Sequence, residues 1–424
     1  MFFTFSDVEE YLDKKGLFHM DLSLDRMKDV LSQTKLYHPA PCVIQILGTN
    51  GKGSTAAFLT SLFQSHGLRV GLYTSPHFVS IRERVQIAHG GKDHCSLIDT
   101  KLWIGAANSF LPFDKGLTYF EYITLLALFF FRVYRVDVIV LEAGLGGAHD
   151  ATTAVQRDYL CYTPIALDHR NVLGNSLEAI ATDKSLAIGD GMQVFTQKQY
   201  PLALHCLEKT AKSHGIPLHN AEPLPKQLCD AVSLSGKHQL ANAGLALTLF
   251  KTVQKKMGFF SSNDACAKGL ANAFLPGRLQ SIQASKTYPH LLLDGAHNPH
   301  GIQTVLESLR TMGVRPSALV YAALRDKDWK SSVRLLKQSF PSVPVVFPAL
   351  SNERAQNPEE IEKVWSSQGQ GSVLHLKTRN ANVATLLKAL QKHPARVESG
   401  PVLLLGSLYL LSEFYKAYPK NLRK

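Results

Sequence analysis

A chain of 424 residues, 45% hydrophobic and 19% charged, has material for more than one core, so two domains are the default and a disordered or fibrous chain is excluded. Its 46 lysines and arginines against 34 acidic residues leave a net charge of +12. The basic residues form no dense block, so the field suits anionic small substrates as well as it suits nucleic acid.

In chain order, residues 1–16 carry early acidic residues and no basic leading region, so no secretory signal is read. Residues 7–36 read as one or two amphipathic helices. An apolar β-type run from Cys42 to Leu47 then empties into Gly48-Thr49-Asn50-Gly51-Lys52-Gly53-Ser54-Thr55, and a helical pattern over 54–66 follows through Ala57, Phe58, Leu59, Leu62 and Phe63. Strand, glycine-rich turn and helix N-terminus form a cradle for nucleotide phosphates, because backbone N–H groups and the helix dipole face the anion and Lys52 adds a point charge. A common loop of this kind has Ser or Thr directly after the lysine. Here Gly53 intervenes, which points away from an ordinary GTPase or kinase.

The pattern continues with a strand at 69–73, a polar loop at 74–96, helices near 98–110 and 119–134, a strand at 136–141, and β-type runs at 159–166 and 193–196. The apolar run 123–131 ends at Arg132 and is too short to span a bilayer. A helix at 238–256 leads to Pro276-Gly277, which breaks it and marks a domain junction. Strands at 290–294, 317–323, 343–347 and 401–405 then alternate with helices near 300–312, 328–339, 357–368 and 380–392. The expected fold is α/β: two doubly wound domains, a P-loop ATPase-like one over 1–276 and a smaller Rossmann-like one over 277–424. Six scattered cysteines without CxxC spacing suit reduced thiols in a cytoplasmic protein.

Three further places carry chemistry. Glu142 ends the apolar run Val136–Leu141 and precedes Ala143-Gly144-Leu145-Gly146-Gly147. A carboxylate at a parallel strand's carboxyl end, beside a phosphate loop, suits Mg²⁺, a hard cation that takes oxygen ligands. Asp168-His169 follow the run 160–167 in the same manner. Lys184 by itself reads as a helix-surface lysine. The seventeen histidines show no HxxxH spacing and no Cys/His cluster.

GTNGKGS (48–54), YTSPHFVSIRERV (73–85), LTYFEYIT (117–124), LEAGLGGAHDAT (141–152), LDHRNVLGNSLEAIATDK (167–184), GKHQLANA (236–243), LPGRLQ (275–280), LDGAHNPHG (293–301) and GSLYLLSEF (406–414) occur in this order. Together they closely resemble the folylpolyglutamate synthase/dihydrofolate synthase family of the Mur ligase superfamily, over nearly the whole chain. The resemblance implies an ATP-dependent amide ligase that joins L-glutamate to dihydropteroate or to folates through an acyl phosphate. It implies that Thr49, Asn50, Gly51, Lys52, Gly53 and Ser54 bind the triphosphate, and that Asn242, Arg278, Asp294 and His297 complete the ATP contacts. Ser75 and Glu142 would hold one Mg²⁺ and His169 a second, with Lys184 carbamylated by CO₂. Lys52, Lys184, His169 and Arg278 would be the catalytic set. Thr118, Tyr119, Phe120 and Glu121, with His149, Asp150 and Ala151, would receive the pterin side. The family further suggests a cytoplasmic monomer with no nucleic-acid or membrane partner, and leaves room for a monovalent cation.

The chain departs from the family pattern in three places. The usual Glu-Lys-Ala-Gly-Ile reads Asp183-Lys184-Ser185-Leu186-Ala187-Ile188, the usual Arg-Leu-Asp reads Ala148-His149-Asp150, and Leu47 stands where a small residue is common. A cell-wall Mur ligase would need a nucleotide-sugar domain ahead of the loop, for which residues 1–47 leave no room. A nucleic-acid-driven P-loop ATPase would need helicase-type motifs, and none is read. Both synthase activities, or folylpolyglutamate synthase activity alone, remain open at this point.

Overall fold

The computed structural model describes residues 1–16, 23–92, 94–369, 373–374, 382–392 and 400–423; residues 380 and 381 of the expected 380–392 helix lie outside them. The chain divides into two compact units, one of residues 1–233 and 240–273, the other of 234–239 and 274–424.

Among the described residues, the first unit is built on an eight-stranded sheet. Its strands are β1 (Cys42–Leu47), β2 (Val70–Tyr73), β3 (Val85–Ala88), β4 (Cys95–Leu97), β5 (Val138–Glu142), β6 (Tyr159–Tyr162), β7 (Gln193–Thr196) and β8 (Leu218–Asn220), in the order β4-β3-β2-β5-β1-β6-β7-β8. Every pair from β2 to β8 is parallel; β3 and β4 are added antiparallel at one edge. The chain leaves β1 toward one side and, after β5, resumes on the other side at β6. β1 is therefore the switch point, where a doubly wound sheet opens a crevice at its carboxyl edge. β1, β2, β5 and β6 are buried at every position, which explains their continuous apolar runs.

Helix Lys52–Ser65 is buried from Gly53 to Gln64, packed between the sheet and helix Asn263–Asn272. Strand register puts Val43, Tyr73, Leu141, Leu160 and Val194 on one face of the sheet, which carries an apolar core that includes Val43, Tyr73, Trp103, Tyr122, Phe130 and Leu141 and, at β6 and β7, a second that includes Leu160, Ile165, Ile180 and Val194.

Three expectations differ from the structure. The helix expected at 238–256 ends at Met257, and a separate helix, Asn263–Asn272, stands between it and Pro276-Gly277. Residues 74–96 are not one loop, because they hold a short 3₁₀ turn, Ile81–Arg84, then β3 and the start of β4. Gln86 within β3, and the charged turn Arg82-Glu83-Arg84 before it, mask the strand signal there. The run at 159–166 is a strand only to Tyr162; Thr163-Pro164 ends it, since proline cannot donate to the ladder.

Among the described residues, the second unit has five strands, β9 (Gln280–Ile282), β10 (Leu291–Leu293), β11 (Ala318–Tyr321), β12 (Val345–Val346) and β13 (Val402–Leu405), in the order β12-β11-β13-β10-β9. All pairs are parallel except β9 with β10. Helices Pro299–Thr311, Trp329–Ser339, Pro358–Ser366, Val383–Lys392 and Leu408–Ala417 alternate with these strands. Among the described residues, no helix is long and apolar enough to cross a membrane.

Candidate active site

Strand register gathers the first unit's site. Ile46 of β1 stands opposite Glu142 of β5, Leu47 opposite Tyr162 of β6, and Tyr73 of β2 opposite Leu141. The loop Gly48–Ser54, the turn at Ser75, Glu142 and the segment after Tyr162 therefore leave the sheet at one edge.

The glycine loop is pinned to the segment that follows β6. Thr49 N donates to Pro164 O at 2.9 Å, and the Thr49 hydroxyl bridges Ala166, donating to its carbonyl and accepting from its N–H, both at 3.0 Å. Gly48 has φ +138°, and a Cβ there would stand 2.0 Å from Thr163 Oγ1, so the position requires glycine for conformation and for room. Lys52 opens the helix and folds back, its Nζ donating to Gly48 O at 3.2 Å and Thr49 O at 3.3 Å. Ser54 is buried in the first helical turn. Asn242 is buried against this loop: its Oδ1 accepts from Gln197 Nε2 at 3.0 Å, and a Cβ on Gly51 would lie 2.7 Å from it.

Glu142 is 6% exposed and accepts from Ser75 N at 3.2 Å, so β5 and β2 bring these two together. Among the described residues, no group of three or more His, Cys, Asp and Glu converges on one point. An ion at Glu142 and Ser75 would draw its remaining ligands from phosphate and water, which is how Mg²⁺ is ordinarily held. The donor set fits that ion.

Asp168 and His169 do not sit directly at the end of β6 but six and seven residues beyond Tyr162, ahead of the short helix Arg170–Leu173. His169 adopts φ +50°, its N–H donates to Asp168 Oδ1 at 2.8 Å, and its ring stays about one-third exposed beside the same carboxylate.

Lys184 overturns the surface reading. It lies on helix Leu177–Ser185 but is only 4% exposed, because its helix packs against Gly146-Gly147. Nζ donates to Gly146 O at 3.2 Å. Burial pushes the amine down to about 8; the charge of Lys52 adds to this, against the opposing pull of Asp183, Asp150 and Asp168. Helix periodicity alone does not distinguish a lysine turned toward a neighbouring glycine loop from one facing solvent.

The pterin-side residues divide by what they do. Thr118 and Glu121 form a reciprocal cap on helix Tyr119–Val133, and Glu121 also pairs with Arg26 at 3.2 Å. Tyr119 is buried beneath the Arg84 guanidinium, 5.5 Å from ring to charge. Phe120 is half-buried beside Gly144, its ring 5.6 Å from that of Tyr73. Asp150 is buried and accepts from Gly144 N, Leu145 N, Thr152 N and the Thr152 hydroxyl, so it holds the glycine turn after β5 in shape. Burial raises its carboxyl, and those four hydrogen bonds oppose the rise. Ala151 is buried beside it, and His149 is exposed.

In the second unit, Arg278, Asp294 and His297 lie together. Asp294 follows β10 and is buried; its Oδ2 accepts from Leu279 N at 2.9 Å and its Oδ1 from Ala296 N at 2.8 Å. Burial raises this carboxyl, against the charge of Arg278 and the two N–H donors. An Arg278 terminal nitrogen would lie 2.8 Å from a Cβ on Gly295, and His297 Nδ1 is 2.8 Å from Gly295 O.

The sequence reading missed Gln197 and Gln199. Gln197 orients Asn242, while Gln199 ties Thr163 O and Ile165 N to the end of β7. Their signal was available, since both follow a parallel strand's carboxyl end. Arg84 was also missed: it is buried and donates through Nε to His77 Nδ1 at 2.9 Å.

Comparison with known proteins gives a consistent picture. Residues 277–407 match the family described as Mur ligase, glutamate ligase domain. The chain is 32% identical to a dihydrofolate synthase/folylpolyglutamate synthase of Haemophilus influenzae, over 96% of this chain and 95% of that protein. It is 29% identical to the protein of the same description from Bacillus subtilis, over 98% and 99%. Among solved structures, Escherichia coli FolC in complex with DHPP and ADP superposes with a TM-score of 0.81 at 26% identity, covering 99% of this chain and 98% of that one. The bifunctional enzyme with Mn, AMPPNP and L-glutamate bound gives 0.80 at 27% identity, covering 98% of both chains.

Proposed function

The chain belongs to the dihydrofolate synthase/folylpolyglutamate synthase family of Mur ligases, and from that premise we propose that it is an ATP-dependent ligase adding L-glutamate to dihydropteroate and to reduced folates. The observation that carries the reading is the single sheet edge that holds the glycine loop with Lys52, the buried Glu142 beside Ser75, and the buried Lys184.

The acceptor's carboxylate oxygen attacks the γ-phosphorus, the bond to the ADP oxygen breaks, and an acyl phosphate forms. The glutamate amine then adds to the acyl carbon, and phosphate leaves. Two anions must meet, so fixed cations and aimed N–H donors carry most of the rate. Lys52 and the N–H groups of Thr49 to Ser54 take the triphosphate. Asn242 braces the loop, and Arg278, Asp294 and His297 supply the remaining nucleotide contacts. Ser75 with Glu142, and His169 with Lys184, would hold two Mg²⁺ ions, which when bound neutralise phosphate charge.

A buried lysine held near neutrality has an amine able to add CO₂, and the resulting carbamate would be an anionic ligand. This supports carbamylation of Lys184. Phe120, Tyr119 and the turn held by Asp150, with Thr118, Glu121, His149 and Ala151, form the pterin side; Thr118, Glu121 and Asp150 act there by fixing backbone. We assign 1–276 to ATP binding and 277–424 to the glutamate-ligase domain, and the working compartment to the cytoplasm, which suits six unpaired thiols.

The test is product analysis with L-glutamate and ATP, offering dihydropteroate and tetrahydrofolate separately. Glutamylation of both supports the bifunctional reading. Product from tetrahydrofolate alone makes the chain a single-activity folylpolyglutamate synthase, and ADP release that ignores both acceptors overturns the proposal.

A further inference from the structure

Within the first unit, a row of polar side chains links two opposite charges. Arg157, half-buried just ahead of β6, is at one end, and Asp150, buried in the turn after β5, is at the other. Burial works against the guanidinium's charge, while Tyr162, Tyr37 and the Asp150 carboxylate work for it. Gln45 of β1, wholly buried, stands between the two ends. Arg157 can only donate, so the Gln45 carbonyl oxygen faces it and accepts from Nη1 at 2.5 Å. The Gln45 amide nitrogen then gives its two hydrogens to the hydroxyls of Thr152, at 2.7 Å, and Thr153, at 2.8 Å. Each hydroxyl passes its own hydrogen on, Thr152 to Asp150 Oδ1 at 2.5 Å and Thr153 to Gly147 O at 2.7 Å. Every donor points from the cation toward the turn, so the bonds polarise one another in the same sense.

Both ends of the row are fixed. Arg157 Nη1 also donates to Ala187 O at 2.9 Å, and its Nε donates to Val155 O at 3.1 Å. At the other end, Asp150 Oδ2 accepts from Gly144 N at 2.8 Å and Leu145 N at 3.0 Å. A Cβ on Gly147 would stand 2.5 Å from Lys184 Cα, so the turn also lies close against the Lys184 helix. The phosphate loop is pinned separately, through Thr49, to Pro164 and Ala166.

We propose that Arg157 is a positioning residue for the acceptor: through Gln45, Thr152 and Thr153 it holds the turn 144–147 in the shape that receives the pterin side. The inference rests on the assignment of Asp150 and its turn to the acceptor. Without the guanidinium, nothing fixes which way the Gln45 amide faces, and the Thr152 hydrogen is no longer directed at Asp150. The turn then loosens, and acceptor affinity falls while the phosphate loop keeps its own anchors.

Full-length Arg157→Met, Gln45→Glu and Thr152→Val test it, with the double variant Arg157→Met/Thr152→Val. Gln45→Glu keeps an acceptor for the guanidinium and loses both donors to the threonines; Thr152→Val keeps the shape and loses the hydroxyl. Each should raise KM for the acceptor that the protein glutamylates, dihydropteroate or tetrahydrofolate, about tenfold, and KM for ATP less than about threefold. Because the residues act in one row, the double variant should lose no more than about threefold beyond the worse single one. Amide hydrogen exchange over 144–147, read on the same preparations, should quicken in all four. Equal rises of the two KM values, a fall in kcat with both KM values unchanged, or losses that multiply to about a hundredfold in the double variant each overturn the proposal. Unchanged exchange in Gln45→Glu overturns it as well. If Arg157→Met does not fold, Gln45→Glu combined with Thr152→Val gives the same cycle. If the unaltered protein shows no glutamate ligation, the functional reading fails, and exchange in Gln45→Glu still decides whether the row holds the turn.

Discussion

At the carboxyl edge of β1 lie a glycine loop, Lys52 and, on the next strand, the buried Glu142, the groups proposed above to meet phosphate. At the carboxyl edge of β10, Asp294 gives each oxygen to a backbone N–H, one of Leu279 and one of Ala296, and Arg278 lies alongside. Both are parallel-sheet edges in doubly wound units, yet the first holds charge arranged for a ligand and the second holds charge arranged to shape a turn. Under the proposed function, the first edge takes the triphosphate and the second supplies further nucleotide contacts. The difference predicts that substitutions at the first edge remove turnover, and that those at the second cost stability or nucleotide affinity.

The largest effect is expected from Lys52→Ala or Glu142→Ala. Each removes charge compensation at the phosphates and should lower kcat by about 10³-fold or more, with an unchanged far-ultraviolet spectrum. Near-normal turnover from either would remove that residue from the mechanism. Gly48→Ala forces a Cβ against Thr163 and should lower both turnover, by about 10²-fold, and stability, by about 2 kcal/mol or more, in activity assays and urea titration. Asp294→Ala leaves the N–H groups of Leu279 and Ala296 buried without their acceptor. It should cost about 1–3 kcal/mol of unfolding free energy, and a stability equal to that of the parent chain would break the contrast between the edges. Arg278→Ala is the mildest: KM for ATP should rise about tenfold while KM for the acceptor changes little, and equal rises would make its role structural.

The alternation of apolar runs was enough to read two α/β units, because parallel strands buried on both faces leave an unmistakable apolar signature, as in Val138–Leu141. It was not enough for the short antiparallel strands β3 and β4, which carry Gln86 and Ser96 and follow the charged turn Arg82-Glu83-Arg84. Motif order singled out Lys52, Glu142, Lys184 and Asp294 as candidates. The burial of Lys184 was hidden, since it depends on two glycines distant in sequence that let the helix backbone approach. Thr118 and Glu121 illustrate a different limit. Their spacing is both part of a ligand motif and a helix-capping pair, and only the hydrogen bonds show the second. Gln197 escaped because a glutamine after a strand carries no charge to draw notice, although it orients Asn242.

The central claim, transfer of a phosphoryl group to the acceptor's carboxylate, is tested most directly with a heavy-oxygen label in that carboxylate. With ATP and L-glutamate present, the account predicts that one labelled oxygen appears in the released inorganic phosphate for each amide bond formed. Amide product accompanied by unlabelled phosphate would contradict it.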